Sequence, residues 1–229
     1  MRFDKDSRHD VVEPKYSITY NYGPQVSYSR AQKRPFTSSV EMRDIVAAVA
    51  VLTLAFFWMY YSAGDKSVLY YLGLASLSVV VGFLVHEMSH KVVARRYGCW
   101  AEFRADYRML GLALVMAFFG FLFAAPGAVI IAGNVGREEN GKISLAGPGS
   151  NFLAAIILMP FALFTLSGIP ELAHDIAFSL YFFSVFLGSF NMIPVMPLDG
   201  AKIWYWNKPV YIITLIAAGL LFYLALAGF

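Results

Sequence analysis

The chain has 229 residues, of which 59% are hydrophobic and 14% charged, with a mean hydropathy of +0.59. Soluble domains carry about 25% charged residues, so this composition excludes an ordinary soluble domain and points to a bilayer. The net charge of +3 is modest and no nucleic acid is expected as a partner; one cysteine, Cys99, excludes an internal disulfide and any cysteine-rich metal site.

Residues 1–40 are polar and carry Pro14, Pro24 and Pro35. They read as a cytoplasmic N-terminal tail, although Tyr16–Tyr22 alternates weakly and admits a strand or a cap over the membrane domain. No cleavable signal peptide is expected, because the first apolar run starts near Ile45 and reads as a retained helix. Residues 41–229 read as one transmembrane domain with no internal repeat.

Its apolar segments are Ile45–Tyr61, Val68–Ala94, Met109–Ala132, Ile143–Leu166, Ile176–Ile193 and Val210–Phe229. The second carries His86-Glu87-Met88-Ser89-His90 near its far end. The third is broken by Gly120 and by Pro126-Gly127. The fourth opens on Gly147-Pro148-Gly149-Ser150-Asn151, and the fifth runs into Pro197-Leu198-Asp199-Gly200.

Basic residues set the orientation. Eight precede the first span, and Lys91, Arg95, Arg96, Arg104 and Arg108 follow the second. If Met109–Ala132 crossed the bilayer, Arg137, Lys142, Lys202 and Lys208 would become external, and Asp199 would lie across the membrane from His86. If it dips in and returns, every basic residue but Lys66 is cytoplasmic and Asp199 reaches the histidines' side. The expected fold is an all-α polytopic membrane protein of five to six transmembrane helices. A re-entrant or membrane-embedded hairpin element is expected between the metal-motif helix and the Gly-Pro-x-x-Asn helix, where length alone would count a sixth span.

Two histidines at i and i+4 share one helix face, and that spacing with a glutamate beside the first is a zinc-helix pattern. Ionisable groups in an apolar span are costly, which makes them functional candidates. Asp199, at the end of another span on the same side, is the expected third ligand beside His86 and His90. Two imidazoles and a carboxylate leave a fourth zinc position for water. Glu87, about 100° round the helix from His86, is placed to take a proton from that water and deliver it to a leaving amine, which is peptide hydrolysis. Pro126-Gly127-Ala128-Val129 offers an edge to which an extended substrate segment could pair.

His-Glu-x-x-His-x-x-x-Ala-x-x-x-Gly (His86–Gly98), Gly-Pro-x-x-Asn (Gly147–Asn151) and Asn-x-x-Pro…Pro-Leu-Asp-Gly (Asn191–Gly200) resemble the site-2 protease family of intramembrane zinc metalloproteases. The resemblance covers about Val68 to Lys208. It implies zinc held by His86, His90 and Asp199, Glu87 as catalytic base, and Asn151 by the active site as a group that holds substrate or the oxyanion. Charge placement makes the expected protein multi-pass with its active site opening to the cytoplasm, and the depth of the motif in a span restricts the expected substrates to transmembrane proteins. Met196 stands where a proline is common, and Met109–Phe123 is longer than the usual loop. Lys91 and Arg95 read as interface anchors. A prenyl-protein protease would need a glutamate as third ligand, and Glu171 falls on the external side. A zinc-binding transporter or scaffold would keep the metal without needing Glu87. The sequence is silent on oligomeric state.

Overall fold

A computed structural model describes residues 35–121, 126–163 and 170–227. Most of the polar tail, with the weakly alternating Tyr16–Tyr22, therefore lies outside the described residues.

Among the described residues, five helices are long and apolar enough to cross a membrane, the make-up of a multi-pass membrane protein. They are α1 (Ser39–Ala63), α2 (Val68–Arg96), α4 (Arg137–Leu163), α5 (Glu171–Asn191) and α7 (Lys208–Ala227). Serines start the first two. Ser38 accepts from the Glu41 amide and Ser67 from the Tyr70 amide, each satisfying a first-turn N–H that has no partner within the helix. Inside α2 the chain widens into a π turn over Val79–Leu84, two residues short of His86.

Among the described residues, Met109–Ala132 holds no helix long enough to be a sixth span. It contains a helix of 12 residues, α3 (Tyr107–Phe118), capped by Asp106 through the amides of Arg108 and Met109. Gly120, at φ 78°, takes the left-handed conformation that ends it, and the Phe121 amide closes back on the Met116 carbonyl. Strands β1 (Trp100–Ala105) and β2 (Gly127–Ala132) flank α3 and pair antiparallel, Trp100 opposite Ala132 and Ala105 opposite Gly127.

The fold is mostly helical, as expected, and this pair of strands is what the all-α description leaves out. Their backbone needs no helix because its polar groups find other partners. β1 pairs with β2 on one side. On the other, Glu41 accepts the Phe103 amide at 3.0 Å and Asp44 accepts the Ala105 amide at 3.4 Å, both from the first turns of α1.

The element brings the chain back to the end of the bundle it left. His90 meets Ile143 and His86 meets Asn151, so going down α2 means going up α4, and the two helices are antiparallel. At the opposite end Lys66, in the α1–α2 turn, pairs with Glu171 at 2.8 Å, and Tyr70 bonds Asp175. The first residues of α5 are thereby tied to the turn that carries Lys66.

Two apolar clusters build most of the core. Phe56, Val79, Phe83, Phe103 and Phe183 join α1, α2, β1 and α5. Phe152, Tyr181, Val185, Ile203, Tyr211 and Leu221 join α4, α5, α7 and the short helix α6 (Asp199–Trp206). The metal motif follows Phe83 of the first cluster on α2, and Met88 within it packs against that cluster.

Lys91 departs from its expected place at the interface. It is fully buried, with Nζ 2.6 Å from both oxygens of an equally buried Glu41 and over the ring of Phe36. One carboxylate thus holds the metal helix and the β1 backbone together. Arg95 is half-buried, donating to the carbonyls of Pro35 and Phe36 and lying over the Phe36 ring.

Candidate metal centre

Helical spacing on α2 stacks His86 and His90 with their Nε2 atoms 3.1 Å apart. The first residue of α6 brings Asp199 to them, with Oδ2 3.0 Å from His90 Nε2 and 3.4 Å from His86 Nε2. The three are buried and their ligand atoms lie within 4.8 Å of one another. Glu87 is buried beside them.

The donor set fits a zinc ion. Two imidazole nitrogens and a carboxylate oxygen converge within 4.8 Å of one another, and the Asp199 oxygen supplies charge to balance a cation. His90 Nδ1 lies 2.7 Å from the Ile143 carbonyl. Donation of an Nδ1–H to that oxygen leaves Nε2 with its lone pair turned inward. The second Asp199 oxygen faces the Lys202 ammonium at 3.6 Å.

Space for the imidazoles comes from α4. A Cβ on Gly147 would lie 2.3 Å from His90 Nε2 and 2.6 Å from His86 Nε2. Any other residue would occupy the point where the ligand nitrogens converge.

Beside Glu87 runs β2. The Phe103 amide is turned to Glu41, so Phe103 and its partner Val129 form a non-hydrogen-bonded pair of the ladder. Val129 therefore points its own N–H away from β1, and that N–H lies against the Glu87 carboxylate.

All the residues read from the sequence come to this one place. His86, His90 and Asp199 form the cluster and Glu87 adjoins it. Asn151 is buried on α4 with its carboxamide 3.1 Å from His86 Nδ1. Sequence reasoning missed three contributors: the Ile143 carbonyl, Lys202 and the role of Gly147. Lys202, three residues after Asp199 on one helix, could have been found from that spacing.

A protein of Methanocaldococcus jannaschii named "Putative zinc metalloprotease MJ0611" is 38% identical over 174 residues, covering 75% of this chain and 88% of that protein. The chain belongs to that zinc metalloprotease family. Zinc metalloprotease MJ0392 of the same organism is 28% identical over 54% of this chain and 31% of its own length. "Putative zinc metalloprotease Rip3" of Mycobacterium tuberculosis is 28% identical over 63% of this chain and 35% of its own. No family model and no solved structure matches. These relatives agree with the site-2 protease resemblance of the sequence motifs.

Proposed function

We propose that this metalloprotease hydrolyses peptide bonds within or near the transmembrane segments of membrane-protein substrates. The observation that carries the reading is the buried His86, His90 and Asp199 cluster with Glu87 beside it, set in helices long and apolar enough to span a bilayer. Burial among helices of this length favours a segment already in the bilayer over a soluble substrate.

His86 and His90 through Nε2, and Asp199 through Oδ2, would hold a zinc ion. Bound there, it would supply Lewis-acid chemistry to a substrate carbonyl and lower the pKa of a water towards about 7. Glu87 accepts the proton of the attacking water and returns it to the nitrogen of the departing amine. Lys202 holds the second Asp199 oxygen, and the Ile143 carbonyl orients His90.

The N-terminus and the mouth of the site face the cytoplasm in this reading, as the distribution of basic residues supports. Arg95 and Arg96 mark that boundary, and His86, nine and ten residues earlier, lies roughly 13–15 Å inside it at 1.5 Å per residue. β1, α3 and β2 form an element that enters the membrane from that side and returns. The outward edge of β2 pairs with the substrate in extended form, because a helical carbonyl is already hydrogen-bonded and shielded. Val129 places that edge at Glu87.

The test is cleavage of a single-span reporter by the purified protein in proteoliposomes. Fragment masses placing the cut inside the apolar segment, loss of cleavage with a zinc chelator and its return with zinc support the proposal. Cleavage confined to soluble peptides would contradict it.

A further inference from the structure

Asn151 has every polar atom committed to the protein. With each atom set against a suitable partner, its amide nitrogen donates to the Gly82 carbonyl at 2.9 Å, and its oxygen accepts from His86 Nδ1 at 3.1 Å and from the Gly188 amide at 3.3 Å. The opposite orientation would turn the NH2 towards the Gly188 N–H and the oxygen towards the Gly82 oxygen. Hydrogen-bond chemistry therefore selects the first.

These three partners lie on different parts of the bundle. Gly82 sits in the π turn of α2, Gly188 is on α5, and His86 is on the α-helical part of α2. A neutral imidazole carries one proton. An acceptor at Nδ1 fixes it there and leaves the Nε2 lone pair for His90 and Asp199 to share a cation with. On α4, Ile143, Gly147 and Asn151 fall at i, i+4 and i+8, one face of the helix. That face orients His90, makes room for both rings and orients His86.

We propose that Asn151 is a positioning residue for the metal rather than a group that touches substrate. Its carboxamide oxygen holds His86 in the Nδ1–H tautomer, and its links to Gly82 and Gly188 fix the ring's direction. The inference rests on His86 being a metal ligand, so the experiment tests that separately.

Zinc affinity is measured by chelator competition for the purified full chain, with Co2+ absorption spectra as a second readout. The variants are Asn151→Ala, Asn151→Asp and His86→Ala. Loss of an outer partner of a ligating histidine typically costs 10–100-fold in metal affinity, and about that loss is expected for Asn151→Ala, with an altered Co2+ spectrum. Asn151→Asp keeps the acceptor at His86 but sets a second oxygen against the Gly82 carbonyl, so it is expected to lose clearly less affinity than Asn151→Ala, with a Co2+ spectrum nearer the parent's. If Asn151→Ala binds zinc as the parent does while cleavage falls, the residue acts on substrate and the proposal is overturned. Equal losses for Ala and Asp also overturn it, because the acceptor would not be what matters. Unchanged affinity in His86→Ala would remove the ligand assignment itself, and the inference with it.

Discussion

Gly147 faces His90 across a gap so narrow that an added Cβ would lie 2.3 Å from the imidazole Nε2. The metal site therefore depends on the absence of a side chain as much as on the three that converge. Gly147→Ala must push the rings apart or displace α4. Overpacking of this kind costs about 1–3 kcal/mol, and if that cost falls on the metal-bound state zinc affinity drops roughly five- to 150-fold while helical circular dichroism is retained. Unchanged zinc affinity would mean that the rings have room the geometry does not show.

Asp199→Ala removes the only carboxylate of the cluster. The purified variant is expected to lose most of its zinc by elemental analysis. Full occupancy would show that another group completes the site.

Glu41 and Lys91 form a fully buried ion pair. Removing one partner leaves an uncompensated buried charge and costs about 3–5 kcal/mol. Glu41→Ala is therefore expected to lower the melting temperature in detergent strongly. Glu41→Leu with Lys91→Met should recover part of the loss, because apolar replacement of both partners is often neutral. Recovery stays incomplete, since the Phe103 amide loses its acceptor at about 1–3 kcal/mol. A single variant as stable as the parent would show that the pair contributes nothing.

Cys99 is buried. Burial, with Glu139 nearby, raises its thiol pKa, so less of the reactive thiolate is present at neutral pH. Maleimide labelling of the native protein is expected to be slow and to become rapid on unfolding. Equal rates in both states would contradict this burial.

Much of the site was legible because its signals are local. His86 and His90 share a face by helical spacing, and charge placement put Asp199 on their side. The same basic residues gave the expectation that Met109–Ala132 turns back, and the structure has there a helix of 12 residues between two paired strands. The strands beside it were harder to see. Trp100–Ala105 is stable as a strand because Glu41 and Asp44, some sixty residues earlier, cap its outer edge. No local pattern announces such a pairing. Lys91 was misread for the same reason. A lysine near basic residues at a helix end suggests an interface, and only the packing of α1 against α2 brings it to Glu41. Gly147 stood in a visible motif, but its purpose depends on the close approach of α4 to two imidazoles.

The proposed hydrolysis of membrane substrates rests on Glu87 acting beside the metal cluster. Glu87→Gln removes the base while leaving His86, His90 and Asp199 in place. Zinc content and cleavage of a transmembrane reporter, measured on the same preparation, test it most directly. Unchanged zinc with cleavage abolished is the expected result. Undiminished cleavage would contradict the mechanism.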